Sequence, residues 1–231
     1  MSDTWSLILP AAGSGRRFGG PLPKQYLTLG HHPVITHALR TALTVEGLLS
    51  ILIAVQPDQR TALTDILERA GISDPRIHIV DGAHERQYTI ANAMRHPTVN
   101  DARIVLVHDA VRPLASADLF RNIVQAAALH GAAIPCLPVK DTVKRVDTYG
   151  RVVATLERSE LRSVQTPQGA LRTVMLEAYD KAERDGFLGT DDASLIEAAG
   201  HTVVCIDGEE ANIKITSSFD MILAETLLLE R

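Results

Sequence analysis

A glycine-rich segment followed by cationic side chains is the part of the sequence best suited to bind a polyphosphate. It reads P-A-A-G-S-G-R-R-F over residues 10–18, and Lys24 follows it. Small residues let main-chain N–H groups approach phosphate oxygens, which arginine and lysine also bind. A dinucleotide fingerprint would need glycine in place of Phe18, and a Walker loop would need Gly-Lys-Ser or Gly-Lys-Thr. The segment therefore indicates a phosphate loop of another kind, with a tight strand–helix turn and solvated arginines as the alternative.

Three further segments bring polar side chains to the ends of predicted strands or to an extended stretch. They cover residues 81–89, 108–113 and 212–216. Asp109 could hold Mg²⁺ bound to phosphates, because this ion prefers one or two carboxylates plus phosphate oxygens. Lys214 points away from its two apolar neighbours if its segment is extended, and a surface lysine is the alternative. We interpret His108 as a packed strand-end residue rather than a base, and residues 81–89, taken alone, as an ordinary capping segment whose hydroxyl and backbone donors could meet a ligand.

The elements that position these segments alternate along the first half of the chain. Short β-branched runs predict strands at residues 6–10, 51–56, 76–80, 103–108 and 132–139. Helical patterns between them cover residues 33–45, 58–70, 85–95 and 116–130. This alternation predicts βαβ units and therefore an α/β fold with a mostly parallel sheet covered on both faces. Ligands of such sheets bind outside the carboxyl ends of the strands, where three of the polar segments fall.

The pattern changes in the second half of the chain. Residues 142–146 and 151–156 alternate polar and apolar side chains around the turn signal D-T-Y-G, which predicts a β-hairpin arm over about residues 139–159. A lone hairpin is marginal in water, so the arm should pack on the domain or on another subunit. Helices near residues 171–184 and 191–199, a strand at 202–206 and a helix from about 217 complete a single domain over residues 1–231.

Composition excludes several classes of protein. Hydrophobic residues make up 45% of the 231 residues and charged residues 22%, which is typical of a globular chain. No apolar run reaches the roughly 18–20 residues of a membrane helix, and residues 1–9 lack the features of a signal peptide, so we expect a cytoplasmic protein. The net charge of −5 argues against nucleic-acid binding. Cys136 and Cys205 lie in apolar runs and are interpreted as buried, reduced thiols.

Eight short motifs in a fixed order resemble one family of nucleotidyltransferases. They are P-A-A-G-S-G-R-R-F at residues 10–18, P-K-Q-Y at 23–26, D-G-x-x-x-R at 81–86, H-D-A-V-R-P at 108–113, D-T-V-K-R at 141–145, Q-T-P-Q at 165–168, T-D-D-A-S at 190–194 and N-I-K-I-T at 212–216. The resemblance is to the 2-C-methyl-D-erythritol 4-phosphate cytidylyltransferases, and it runs through nearly the whole chain. It implies a Rossmann-like nucleotidyltransferase fold with a projecting hairpin arm.

The resemblance also implies a role for each matching residue. Arg17 and Lys24 match the family's catalytic arginine and lysine. The implied CTP-binding residues are Ala11, Ala12, Gly13, Ser14 and Gly15 around the phosphates, Ala12, Gly82, Arg86 and Thr89 around cytidine, and Lys214 on a phosphate. Asp109 matches the residue near Mg²⁺ and the acceptor, and Arg112, Thr142 and Arg158 match residues that hold methylerythritol phosphate. In the family the arm crosses to a partner, so a homodimer is implied in which Thr142 and Arg158 complete the neighbour's site.

The reaction implied is nucleotidyl transfer from CTP to a polyol phosphate. The phosphate of methylerythritol phosphate would attack the α-phosphorus of CTP, and pyrophosphate would leave. Three alternatives stay open: a cytidylyltransferase for ribitol 5-phosphate, a non-catalytic nucleotide-binding protein of the same fold, and a sugar 1-phosphate uridylyltransferase, whose usual G-T-R-M reads G-R-R-F here. The chain departs from the family's pattern at Ala83, at Thr89 and at Gly169, where an aromatic residue usually follows Q-T-P-Q.

Overall fold

The computed structural model describes residues 3–13 and 22–230. The strands are β1 (Trp5–Pro10), β2 (Thr28–Leu29), β3 (His32–Pro33), β4 (Leu48–Val55), β5 (Ile77–Asp81), β6 (Ile104–Val107), β7 (Ala132–Pro138), β8 (Lys144–Val146), β9 (Val152–Thr155), β10 (Arg162–Val164), β11 (Gln168–Leu171) and β12 (Val204–Asp207). The α-helices are α1 (Val34–Leu43), α2 (Arg60–Arg69), α3 (Arg86–Met94), α4 (Ala117–His130), α5 (Arg172–Asp185), α6 (Asp192–Ala198) and α7 (Ser218–Leu229).

The main sheet is mixed, with parallel strands at its centre. Its order is β10-β7-β11-β6-β1-β4-β5, and β12 pairs in parallel with β7. The pairs β6–β1, β1–β4 and β4–β5 are all parallel, so the carboxyl ends of these strands meet at one edge. This arrangement confirms the α/β fold class expected from the alternation of strands and helices.

Apolar side chains alternate between the two faces of the sheet, and each face is covered by helices. On one face Leu7 and Ile51 pack with buried residues of α1, α2 and α4. On the other face Ile8 and Leu52 pack with residues of α3, α5 and α6. Burial of a large aliphatic side chain stabilises the fold by about 1.5–3 kcal/mol, so these two layers hold the strand ends in place. A smaller cluster anchors α7 through Ile215 and Ala224.

The second half of the sheet differs from the prediction of parallel strands. β11 runs antiparallel between β6 and β7, and β10 also pairs antiparallel with β7. The sequence did not indicate either strand. Each is only three or four residues long, and β11 contains Gly169, which has no side chain to contribute to an apolar pattern. A Cβ atom at Gly169 would lie 2.4 Å from Leu106 Cδ2 and 2.6 Å from Ile123 Cγ2, so neighbouring side chains already fill that space.

The hairpin arm is present as a two-stranded sheet of its own. β8 and β9 pair antiparallel, with a register shift between Arg145 and Val146. The Asp147 carboxylate accepts bonds from the backbone N–H groups of Tyr149 and Arg151 and thereby closes the turn. Several apolar side chains of the arm are exposed, among them Val152, which is 61% exposed, and Tyr149, which is 82% exposed.

Two further expectations can be compared with the described residues. Both cysteines are free thiols, but only Cys136 is buried; Cys205 lies exposed on β12, where burial alternates along the strand, so its predicted burial was wrong. Within residues 3–13 and 22–230, no helix is both long enough and apolar enough to span a membrane.

Candidate active site

Segments that follow β1, β5 and β6 line a cleft at the carboxyl edge of the sheet. The residues that line this cleft are Pro10, Ala12, Gly13, Ala83, His84, Glu85, Arg86, Thr89 and Asp109. The structure thus brings together residues from motifs that are far apart in the chain. Ser14, Gly15 and Arg17 lie outside the described residues.

The loop after β1 forms the first wall of the cleft. Two glutamine side chains hold this loop in place by donating hydrogen bonds to its backbone carbonyl oxygens. Gln25 Nε2 donates to Ala11 O at 2.7 Å and contacts Gly13 O at 3.4 Å. Gln56 Nε2 donates to Ala12 O at 3.3 Å. These bonds fix the peptide planes of the loop, so its orientation does not depend on a ligand. Lys24 is half-buried and begins the short 3₁₀ helix that carries Gln25.

Gly82 allows the segment after β5 to approach the loop after β1. Its N–H donates to Val55 O at 2.7 Å. A Cβ atom at this position would lie 2.5 Å from Ala12 Cβ, which is closer than real side chains pack. The two segments can therefore form one binding surface only if residue 82 has no side chain.

Thr89, in the first turn of α3, hydrogen-bonds to the segment that connects β5 to this helix. Its Oγ1 accepts from Ala83 N at 2.9 Å and donates to Glu85 O at 2.9 Å. Thr89 is fully buried at the base of the cleft. The hydroxyl predicted to meet cytidine thus also shapes the loop that would receive it.

Asp109 is the buried carboxylate at the centre of the site. Its Oδ2 lies 2.7 Å from Lys214 Nζ, and its Oδ1 lies 3.4 Å from Arg86 Nε. Burial alone would raise the pKa of Asp109, but the positive charges of Arg86, Lys214 and Arg112 outweigh it and hold that pKa well below the usual range. Asp109 is therefore a carboxylate at neutral pH, flanked by cations from two different segments.

Two residues that the sequence analysis did not assign to the site hold the Arg86 guanidinium in place. Its Nη1 and Nη2 donate to the two oxygens of Asp192 at 3.1 Å and 2.7 Å, and Asp192 also accepts a bond from the Tyr179 hydroxyl. Burial would lower the pKa of Arg86, but attraction by Asp192 and Asp109 raises it overall. Asp192 lies in the T-D-D-A-S motif, which offered a signal, whereas nothing in the sequence pointed to Tyr179.

His108 and Arg112 form the rear of the site. His108 is fully buried, with Nε2 3.0 Å from Arg112 O and Nδ1 3.1 Å from Thr166 Oγ1. Burial lowers its pKa from 6.5 to about 4, so the ring is neutral at pH 7. The packed role expected for His108 agrees with this geometry. Arg112 donates from Nη1 to Asn212 O at 2.6 Å, while its buried Nε has no partner among the described residues.

The segment that carries Lys214 is fixed by Gln165. Gln165 Nε2 donates to Glu209 O at 2.8 Å, and its Oε1 accepts from Glu209 N at 3.1 Å. Asn212 Nδ2 donates to Thr166 O at 2.8 Å, and Ile215 N donates to Val111 O at 2.9 Å. Lys214 is thus placed against Asp109 by a segment bonded on both sides of it.

Thr142 and Arg158 do not join the cleft of their own chain. Both are exposed and lie at the base of the hairpin arm. Arg158 Nη1 donates to Lys140 O at 2.6 Å. Neither residue is part of the cleft lining, which is the arrangement expected if they act in a neighbouring subunit.

Comparison with known proteins gives one consistent result. The family model described as IspD, 2-C-methyl-D-erythritol 4-phosphate cytidylyltransferase, matches residues 5–230. A protein of that name from Bacillus thuringiensis is 39% identical over 224 residues, which cover 97% of each chain. Another of that name from Symbiobacterium thermophilum is 43% identical over 227 residues, 97% of this chain and 93% of its own.

Solved structures agree with the sequence relatives. The crystal structure of 4-diphosphocytidyl-2C-methyl-D-erythritol synthase from Anaerococcus prevotii matches with a TM-score of 0.85 at 32% identity, covering 99% of this chain and 97% of its own. The 2-C-methyl-D-erythritol 4-phosphate cytidylyltransferase of Thermus thermophilus matches with a TM-score of 0.77 at 30% identity and covers 98% of both chains.

Proposed function

The chain belongs to the 2-C-methyl-D-erythritol 4-phosphate cytidylyltransferase family, and from this we propose which of its residues carry out the reaction and how. The enzyme joins CTP and 2-C-methyl-D-erythritol 4-phosphate to give 4-diphosphocytidyl-2-C-methyl-D-erythritol and pyrophosphate, a step of isoprenoid biosynthesis. The observation that carries the residue assignment is Asp109, which is buried between Lys214 and Arg86 at the carboxyl edge of the sheet.

CTP binds in the cleft between the loops after β1 and β5. Ala11, Ala12 and Gly13, with Ser14 and Gly15 beyond them, wrap the phosphates, and main-chain N–H groups are suited to this because they need no charge of their own. Gly82 and Thr89 shape the surface for cytidine, and Arg86 meets the ribose side from the floor of the cleft. The fixed carbonyls of the first loop support this assignment, because a preformed loop loses little entropy on binding.

A magnesium ion fits the residues of the site. Within the part of the chain that the structure describes, no three His, Cys, Asp or Glu side chains cluster as a metal site. Mg²⁺ commonly uses one or two carboxylates plus phosphate oxygens, and Asp109 can supply the single carboxylate. The lowered pKa of Asp109 keeps it deprotonated, as a metal ligand has to be. When bound, the ion would neutralise charge on the phosphates of CTP.

The acceptor phosphate is held by arginines. Arg112 is buried beside the site and its Nε has no partner among the described residues, which suits a guanidinium that awaits an anion. Thr142 and Arg158 reach the acceptor from the arm of a second copy, since they lie outside the cleft of their own chain. A homodimer follows from this assignment, and a cytoplasmic location stays a prediction of the N-terminal sequence.

Catalysis consists of positioning and charge stabilisation. The phosphate dianion of the acceptor is already a nucleophile and needs no general base; His108, which is neutral and bonded on both ring nitrogens, is not placed to act as one. The barrier lies in bringing two anions together in line. Arg17 and Lys24 stabilise the charge that accumulates at the α-phosphate, and Lys214 binds a phosphate oxygen.

The assignment of the catalytic cations is tested by removing each one. Arg17→Ala and Lys24→Ala should each lower kcat by about 10²–10³, because a preorganised charge at a developing anion is lost. Pyrophosphate release measures the rate, and Arg69→Ala and Lys181→Ala are matched controls on exposed helix surfaces. Near-normal turnover by either site variant would exclude that residue from the catalytic machinery.

Substrate choice is tested with the same assay. CTP should support much faster turnover than UTP, ATP or GTP, because a site built to bond one exocyclic amine leaves polar groups unpaired with a base that lacks it. Among acceptors, methylerythritol phosphate should be used in preference to ribitol 5-phosphate. Equal rates with UTP would contradict the proposed role of the 11–13 and 82–89 segments in reading cytosine.

A further inference from the structure

Asp192 is a fully buried carboxylate that makes its ion pair with a residue of the cleft. Its side chain has no solvent exposure, and both of its oxygens accept from the terminal nitrogens of Arg86. Burying a carboxylate is costly unless charge and hydrogen bonds compensate it. The two-point bond with Arg86 and the bond from Tyr179 provide that compensation.

The neighbouring residue Asp191 has a different task, which separates Asp192 from a simple helix cap. Asp191 is the N-cap of α6: its side chain accepts from Ser194 N at 3.0 Å, and it also accepts from Gln168 Nε2 at 2.8 Å. Asp192 is the first residue of α6 and directs its carboxylate across to α3 instead. The helix end is therefore satisfied without Asp192.

The pairing decides which atoms of Arg86 face the cleft. Each terminal nitrogen of Arg86 donates one N–H to Asp192. The Nε–H group is left over, and Nε lies 3.4 Å from Asp109 Oδ1. A guanidinium free of Asp192 would form a two-point bond with Asp109 itself, because that geometry is the strongest available to an arginine and a carboxylate. Asp192 thus prevents Arg86 from closing on the carboxylate that Lys214 also contacts.

We propose that Asp192, supported by the Tyr179 hydroxyl, is a positioning residue that holds the Arg86 guanidinium in the orientation in which it meets the nucleotide. The proposal rests on the proposed role of Arg86 in binding CTP. Asp192 touches no substrate; it acts through Arg86. Side chains that orient a binding group commonly contribute about 10–100-fold to affinity or activity, although they lie one layer away from the ligand.

The test is a double-mutant cycle on CTP affinity, measured by calorimetry with Mg²⁺ and without the acceptor. Arg86→Met and Asp192→Asn should each raise the Kd for CTP by about tenfold or more. The double variant should bind no more weakly than Arg86→Met alone, because Asp192 acts only through Arg86. In kinetics, Asp192→Asn should raise the KM for CTP more than it lowers kcat.

A matched control breaks another ion pair of α3, which joins this helix to α5 rather than to α6. Arg95, at the end of α3, contacts Glu183 of α5 at 2.7 Å, and both side chains are exposed. Glu183→Gln should leave the Kd for CTP unchanged. Thermal unfolding of every variant reports whether the fold is intact; if Asp192→Asn does not fold, Tyr179→Phe takes its place and should weaken CTP binding only when Arg86 is present.

The outcomes separate the inference from the proposed function. If Arg86→Met binds CTP normally, the role proposed for Arg86 is wrong and the positioning role falls with it. If Arg86→Met binds weakly but Asp192→Asn, or Tyr179→Phe in its place, weakens binding equally in both backgrounds, the positioning role alone is overturned.

Discussion

Two residues of this site matter because of a group that they lack: Gly82 has no side chain, and His108 has no charge at neutral pH. Because Gly82 has no Cβ atom, the segment after β5 can pack directly against the loop after β1. His108 offers no charge, because burial lowers its pKa to about 4 and its two nitrogens serve Thr166 and Arg112. Both residues shape the cleft in which we propose that Asp109 and the surrounding cations bind the substrates.

Gly82→Ala tests the close approach of the two loops. The added Cβ would lie 2.5 Å from Ala12 Cβ and 3.2 Å from Val55 O, so the loops have to separate. Since a displacement of about 1 Å can cost about 10²-fold, we expect kcat/KM for CTP to fall by about that factor. Gly200→Ala, at a φ of +92° outside the cleft, should lower stability but leave the KM for CTP unchanged. A kcat/KM for CTP close to wild type in Gly82→Ala would contradict the shared surface.

His108 should make stability depend on pH. The unfolded chain takes up a proton near pH 6.5, whereas the buried ring does so only near pH 4. The stabilising contribution is therefore complete above pH 6.5 and is lost as the pH falls towards 4. Between pH 7 and pH 5 this loss is about 2 kcal/mol in the free energy of unfolding.

Urea unfolding of the wild type and of His108→Gln at the two pH values measures this contribution. The variant should lose less stability than the wild type by about the same 2 kcal/mol, because its amide does not titrate. Equal losses in both proteins would show that His108 does not set the pH dependence.

At the scale of elements, the sequence predicted the parallel half of the sheet well and the antiparallel half poorly. β6 and residues 51–55 of β4 are runs of buried aliphatic residues and are recognisable from composition alone. β11 is four residues long, and Leu106 and Ile123 leave no space for a side chain at Gly169. The information that makes it a strand lies in its neighbours, and these are distant in the chain.

The same reason explains which site residues the sequence could predict. Asp109 and Gly82 directly follow strands that are easy to recognise, so their meeting at one edge follows from sheet geometry. Gln56 and Tyr179 lie in no motif that would have indicated a role in the site. Gln56 bonds to residues 27 and 44 positions away in the chain, and Tyr179 bonds to a residue 13 positions away. Roles for Arg17 and Lys24 came from the family resemblance and stay predictions.

Gly169→Ala tests how tightly β11 is packed. The added methyl group would overlap Leu106 and Ile123, and overpacking of this kind commonly costs about 1–3 kcal/mol. We expect a lower urea midpoint with an unchanged slope, and an unchanged kcat at temperatures where the variant is folded. Wild-type stability would show that the layer beside β11 relaxes freely.

At the scale of the whole molecule, the hairpin arm carries exposed apolar residues that a second copy would cover. Val146, Tyr149, Val152 and Val153 are each more than half exposed on β8, β9 and the turn between them. Two short strands bury too little surface to be stable alone, and a two-fold partner would add the missing contacts. The exposed positions of Thr142 and Arg158 at the base of the same arm fit a site completed between subunits.

Subunit mixing tests this shared site. Lys24→Ala and Arg158→Ala should each be inactive as pure proteins, but a mixed dimer contains one site in which both residues are intact. Free exchange makes about half of the dimers mixed, so about a quarter of wild-type activity should return. Light scattering gives the mass of each variant; a monomeric mass, or no recovery after verified exchange, would rule out the shared site while leaving the reaction itself unaffected.

The position of β11 also sets an order of assembly during synthesis. β11 lies between β6 and β7 but is synthesised after both. β12, which pairs in parallel with β7, is synthesised later still. As the chain leaves the ribosome, β1, β4, β5 and β6 can pair with one another at once, whereas β7 has to wait for the arm and for β11 to emerge. The parallel part of the sheet can thus form first, whereas Lys214 and Asp192 reach the cleft only later, and a nascent chain exposes the unpaired edge of β6 until residues 168–171 fill it.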